Sequence, residues 1–160
     1  MSNSECKYAG AIVLGMHDAL VSLTGMIAGL TFALATRQNI ILSAVIASAA
    51  AGLSMGASNY LAEKTNGNKH AILFGILTSL AYITTCVFLI TPYFVINNTY
   101  NALLSSFAVA LAIILLCNWC IRHAHGHSWW RHAIEMIIIC TTVSIISFVI
   151  GEFAQYILNN

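Results

Sequence analysis

Five long runs of apolar residues constrain the fold more than any other feature of this sequence. A helix needs about 20 mostly apolar residues to cross the hydrocarbon core of a bilayer. The runs are Ala11 to Thr36, Ile40 to Ala62, His70 to Pro92, Tyr100 to Ile121 and His132 to Leu158. They are continuously apolar, whereas the strands of a membrane barrel would be short and alternating. The sequence therefore predicts an all-α integral membrane protein with five transmembrane helices in a lipid bilayer.

The composition supports this class and excludes others. Of the 160 residues, 59% are hydrophobic and 7% are charged, far from the balance of a soluble domain. A net charge of +1 with six Lys and Arg residues cannot form a large phosphate-binding face, so we expect no nucleic-acid partner. The links are short, so residues 1–160 should form a single transmembrane domain. The polar opening Met1 to Tyr8 is expected to be frayed.

The basic residues predict an orientation. Lys and Arg in short loops favour the cytoplasmic side. With five helices, one side carries Lys7, Lys64, Lys69, Arg122 and Arg131, and the other carries only Arg37. We therefore expect a cytoplasmic N-terminus and a C-terminus on the opposite side of the membrane. A bacterial inner membrane and a vacuolar or other endomembrane both fit this bias.

Asp18 is the first candidate for a functional residue, because it lies inside the first apolar run. An ionisable side chain there costs about 2.5 to 3.5 kcal/mol on insertion scales and usually faces a partner or water. In the second run Met55, Asn59 and Glu63 are four residues apart and share a helix face. A rise of ~1.5 Å per residue places Asp18 and Met55 roughly 10 and 12 Å deep. The two could share a site, although Met55 could also be ordinary apolar filler.

Two segments around these residues resemble a known family. Asp18 to Leu30 and Gly52 to Leu61, with its Ser-Met-Gly-Ala-x-x-Tyr-Leu pattern, are similar to the vacuolar iron transporter, or Ccc1-like, family. The resemblance implies a five-helix homodimer that exports Fe²⁺, or a similar ion such as Mn²⁺ or Zn²⁺, from the cytosol in exchange for protons. It also implies that Asp18 and Met55 line the path. The metal is then a substrate, and no permanently bound cofactor is expected.

The sequence departs from the family pattern at several positions. The family usually has Asp-Gly and then Thr-Pro-Phe in the first helix, where this chain has Ala19 and Ser22-Leu23-Thr24. The acid of a typical Gly-Glu-Tyr is replaced by Asn59, which offers a carbonyl oxygen but no charge. The link Glu63 to Lys69 is too short for the Glu-rich metal-binding domain of plant-type members, so the chain resembles the short form.

A histidine-rich cytoplasmic link is predicted at residues 122–131. Imidazoles and thiols are common ligands for transition metals, so this region could capture the ion. The candidate ligands in and beside it are His123, His125, His127, His132 and Glu135, with Cys117 and Cys120 as additional candidates. The same residues could instead form an interfacial belt with the neighbouring Trp and Arg, small apolar packing, or a structural zinc site.

Two further candidates and two other classes of function complete the predictions. His17 adjoins Asp18, and Glu152 in the last run could mark an exit or a proton path. The third run, with Tyr82 and Cys86, is expected to be scaffold. A metal sensor or metal-binding scaffold without transport is the alternative function. We expect no enzyme, since no run carries an Asp pair, a Ser with a plausible base or a His-Glu-x-x-His arrangement.

Overall fold

The prediction of an all-α fold with five membrane-spanning helices is confirmed. A computed structural model describes residues 3–33, 35–125 and 129–158, with side chains over 8–33, 35–117 and 134–157. The described ranges contain five helices and no strand: α1 (Asn3–Phe32), α2 (Arg37–Thr65), α3 (Ala71–Val95), α4 (Thr99–His125) and α5 (Trp129–Leu158). Each contains a segment long and apolar enough to cross a bilayer. The chain is a multi-pass integral membrane protein.

Several helices extend further than the apolar runs predict. Helix α1 already begins at Asn3, within the opening segment expected to be frayed, and the Tyr8 ring packs on Phe74 with 4.8 Å between ring centroids. Helix α3 continues through Pro92 to Val95, since a proline in the last turn removes little hydrogen bonding. Helices α4 and α5 both reach into residues 122–131, so most of that stretch is helical.

Helix α1 packs against each of the other four helices, and α3 packs against α1, α2 and α4. Two hydrogen bonds show how α3 is joined to α1 and α4. Its Tyr93 side chain is almost fully buried, and the hydroxyl lies 2.8 Å from Thr31 Oγ1 of α1. Ser106 of α4 donates a hydrogen bond to the Leu89 carbonyl at 2.8 Å. Within a membrane, such interhelical hydrogen bonds and close packing replace the hydrophobic effect as the source of helix association.

Small residues bring α1 and α5 into close contact. A Cβ atom added to Gly29 would lie 2.9 Å from the Ser147 carbonyl oxygen, and one added to Gly151 would lie 2.8 Å from the Gly29 carbonyl oxygen. An added Cβ on Gly25 would lie 2.8 Å from the Val143 side chain. The Gly25 and Gly29 pair therefore serves packing inside one chain, which is a common use of glycines four apart.

Contacts through α3 fix the register of the first three helices. Asn59 of α2 donates a hydrogen bond to Thr78 Oγ1 at 2.6 Å, and Thr78 donates one to the Ala11 carbonyl of α1 at 3.1 Å. Further along the bundle, added Cβ atoms on Gly15 and Gly52 would each lie 3.2 Å from atoms of Tyr82. Tyr82 is thus level with residues following Gly15 on α1 and with Gly52 on α2.

Arg37 joins two turns at the end of the bundle opposite the α2–α3 link. Its guanidinium donates a 2.6 Å hydrogen bond to Asn97 Oδ1 and a longer one to the Ile96 carbonyl. The α1–α2 turn is therefore tied to the α3–α4 turn. This contact gives a structural role to the one basic residue that the orientation prediction leaves on the far side of the membrane.

Candidate metal path

Asp18 lies on an exposed stripe of α1, within its apolar segment. Ser22, one turn further, is also exposed, and its hydroxyl donates a 2.7 Å hydrogen bond to the Asp18 backbone carbonyl. The Ser22 hydroxyl also lies 2.8 Å from the Tyr82 hydroxyl of α3. A carboxylate at this depth is unfavourable toward lipid. The stripe therefore requires water, an ion or a second protein surface beside it.

Met55 lies on α2, nearer than Asp18 to the predicted cytoplasmic end. Gly15 of α1 and Gly52 of α2 both lie against Tyr82. Asp18 follows Gly15 by three residues into the bundle, whereas Met55 follows Gly52 by three residues toward the α2–α3 turn. At ~1.5 Å per residue, the two positions are roughly 9 Å apart along the helix axes. Met55 is half-buried and packs against the core. This separation is larger than the similar depths predicted from the sequence, and coordination of one ion by the two residues stays a prediction.

Helix α3 contributes polar side chains that the sequence prediction treats as scaffold. Tyr82 and Cys86 are 2% and 1% exposed, and the Tyr82 hydroxyl lies 2.8 Å from Ser22 Oγ, one helical turn past Asp18. Cys86 also lies beside Ser48 of α2. The sequence pattern that could have predicted this polar face is the four-residue spacing of Tyr82 and Cys86, which share a helix face with Tyr93. Only the three-helix register shows that this face meets the candidate path.

Asn59 and Glu63 have structural hydrogen bonds in the described chain. The Asn59 amide nitrogen donates a hydrogen bond to Thr78. This bond connects α2 to α3 near the predicted cytoplasmic end of both helices. Glu63 Oε2 accepts a 2.6 Å hydrogen bond from Asn68, and Asn68 in turn accepts one from the His70 backbone. Glu63 thus stabilises the α2–α3 turn, and a role for either residue as a metal ligand stays a prediction.

The remaining described candidates are dispersed. His17 is half-buried next to Asp18, and Cys117 is half-buried toward the end of α4. Glu135 and Glu152 are exposed near opposite ends of α5. Within the side chains that the structure describes, no three His, Cys, Asp or Glu residues converge to hold a metal ion.

The histidine cluster lies outside the described side chains. His127 belongs to the undescribed residues 126–128, and the side chains of Cys120, His123, His125 and His132 fall between 118 and 133. Their prediction as metal ligands therefore stays a prediction.

The fold and the path define a class: a multi-pass membrane protein with a carboxylate and neighbouring polar side chains inside its helices. Residues 9–71 match a sequence model described as the VIT family. The resemblance to vacuolar iron transporters is confirmed, and α1 and α2 carry the family's sequence pattern. This is a family that transports metal ions across membranes. A search of curated proteins found no match.

Proposed function

We propose that this protein moves a divalent transition metal out of the cytosol in exchange for protons, with Fe²⁺ as the main substrate and Mn²⁺ and Zn²⁺ as additional ones. The observation that carries the proposal is the exposed Asp18 carboxylate inside a helix of a VIT-family segment. An intramembrane carboxylate facing outward from its own chain is typical of an ion path.

The ligand types suit a borderline ion. The Asp18 carboxylate supplies negative charge, and the half-buried Met55 thioether on α2 supplies a soft ligand. Hard ions such as Mg²⁺ and Ca²⁺ prefer sites made only of oxygen, whereas a thioether favours softer ions. Because neither ligand is a strong chelator alone, an ion bound there can also leave. Protonation of Asp18 after release would provide the exchange.

The proposed assembly is a homodimer that covers the Asp18 stripe. Leu14, Asp18 and Ser22 are exposed at four-residue spacing along α1, so a second copy can approach along this line. The glycines at 25 and 29 are already occupied by α5 of the same chain. The dimer face is therefore proposed at the acidic stripe and the neighbouring part of α2, where two Asp18 carboxylates would enclose one polar path.

The proposed direction of transport follows from the charge bias. Lys64 and Lys69 lie at the α2–α3 turn, at the same end as the start of α1, and basic turns favour the cytoplasmic side. An ion would reach Asp18 from this end. The histidines of residues 123–132 belong to the same end and are proposed to capture the ion before it enters the path.

The direct test is metal uptake into proteoliposomes of the full chain, with Fe²⁺, Mn²⁺, Zn²⁺ and Co²⁺ supplied in turn across a pH gradient. The proposal predicts uptake that rises when the lumen is acidic and an opposing proton flux. Metal binding by the purified protein without any flux would favour a sensor or scaffold instead. Uptake that ignores the pH gradient would remove proton exchange from the proposal and leave transport in place.

A further inference from the structure

The strongest feature outside the proposed pair of ligands is a buried polar cluster, defined here as Ser22, Ser48, Tyr82 and Cys86. Its members come from α1, α2 and α3, and three of them are nearly inaccessible: Tyr82 at 2%, Cys86 at 1% and Ser48 at 6% exposure. Ser22 connects the cluster to the exposed Asp18 stripe through its 2.8 Å contact with the Tyr82 hydroxyl.

Ser48 supplies an independent indication of a ligand. Its hydroxyl oxygen is buried and makes no hydrogen bond with the described residues. The Cys86 thiol lies beside it, but the pair does not meet hydrogen-bond geometry. Serines in membrane helices usually satisfy the hydroxyl on the carbonyl four residues earlier, as Thr85 does here at 2.8 Å. A buried polar oxygen with no such bond is destabilising, and a bound ion or water would offset this cost.

The register places the buried pair of Ser48 and Cys86 nearly level with Asp18. Cys86 follows Tyr82 by one turn on α3, and Ser48 precedes Gly52 by one turn on α2, while Gly52 packs against Tyr82. The pair of Ser48 and Cys86 therefore lies about 6 Å deeper than the Tyr82 backbone, and Asp18, three residues past Gly15, lies roughly 4 to 5 Å deeper. Measured from the proposed cytoplasmic end, an ion would meet Met55 first and then Asp18 and this pair at nearly one level.

We propose that Cys86 and Ser48 form a buried metal-binding station of the same path, at the level of Asp18 and with Tyr82 on its cytoplasmic side. The station would take a borderline or soft divalent ion, because thiolate sulfur selects such ions over Mg²⁺ and Ca²⁺. Binding replaces the S–H bond with an S–metal bond, and the released proton passes to water. The station rests on the proposed transport function but has its own measurable signature.

The test is Co²⁺ binding to the purified full chain, followed by the thiolate-to-cobalt charge-transfer absorption. Cys140 provides a matched control, since it is also a buried helical cysteine but lies on α5 beside Thr24. C86S should have a weaker thiolate-to-cobalt absorption than the parent, because the Cys86 thiolate is missing. C140S should keep the parent spectrum. S48A should retain the band and weaken Co²⁺ binding by about 10-fold, the lower end for groups that support a metal ligand.

Two results would overturn the station. One is a C86S spectrum equal to the parent's. The other is complete loss of the band in C117S/C120S, which would assign the signal to the end of α4 instead. Unchanged circular dichroism of C86S secures the comparison against misfolding. Failure of the station is distinguishable from failure of transport, because uptake dependent on Asp18 can persist while the band is absent from Cys86.

Discussion

Replacing Gly15 by alanine should separate α1 from α3 and disturb the path without touching a polar group. An added Cβ atom would lie 3.1 Å from the Thr78 carbonyl carbon and 3.2 Å from the Tyr82 nitrogen, and closer still to the Thr78 oxygen. Carbon contacts are optimal at about 3.5 to 4.0 Å, so the helices must move apart by roughly 0.5 Å or more. The neighbouring atoms are backbone and cannot rotate away.

The energetic effect has two opposing parts. Overpacking of this kind costs about 1 to 3 kcal/mol, and alanine gains up to ~1 kcal/mol over glycine in a helix. The net expectation for G15A is a loss of about 1 to 2 kcal/mol, or a fall in apparent Tm of about 2 to 8 °C for a chain of this size. Metal uptake should also fall, since Asp18 lies on the displaced segment.

Gly10 provides the matched control for this substitution. It lies on the same helix, and nothing is within 4 Å of an added Cβ atom, so G10A should keep or slightly raise the apparent Tm. Thermal unfolding in detergent, followed by size-exclusion chromatography, measures both variants under one scan rate. If G15A has the same apparent Tm and the same metal uptake as G10A, the close approach of α1 and α3 is wrong.

Three further predictions concern contacts elsewhere in the bundle. T31V and Y93F should each destabilise the protein by about 1 to 3 kcal/mol, because each leaves a buried hydroxyl without its partner. A double-mutant cycle measured by thermal unfolding should show a coupling energy of about 0.6 to 1.7 kcal/mol. Additive effects of the two substitutions would refute the 2.8 Å hydrogen bond between Thr31 and Tyr93. R37Q should lose its charged contact with Asn97 and cost less than ~1 kcal/mol in the same assay, with uptake unchanged; loss of uptake would give Arg37 a role beyond structure. G151A should separate α5 from α1 and lower the apparent Tm by about 2 to 8 °C, because its added Cβ would lie 2.8 Å from a backbone oxygen; an unchanged Tm would contradict that packing.

The number and positions of the spans could be predicted because length and hydropathy decide them locally. Asp18 could be chosen as a candidate functional residue for a similar reason, because placing a carboxylate inside an apolar membrane span is energetically unfavourable. The partner of Gly25 and Gly29 could not, because a small-residue pair permits close packing without specifying which helix approaches. That α5 fills this role through Gly151 depends on the whole bundle.

The polar residues of α3 in the proposed path could not be predicted, for a different reason. A tyrosine, a cysteine and several threonines in an apolar helix are usually satisfied by their own backbone or by packing, and Thr85 follows this rule. Tyr82 and Cys86 differ only because the register brings Ser22 and Ser48 to them. Their relevance is a property of three helices together, which no single segment of sequence contains.

A metal ion carried by this protein should pass both Asp18 and Met55. The measurement that tests this most directly is Fe²⁺ uptake into proteoliposomes containing the parent, D18N, D18E, M55L or M26L. Met26 is a suitable control because it is also half-buried against the core, on α1. We expect D18N to abolish uptake, D18E to retain part of it, M55L to reduce it, and M26L to match the parent. Parent-like uptake by both D18N and M55L would contradict the account.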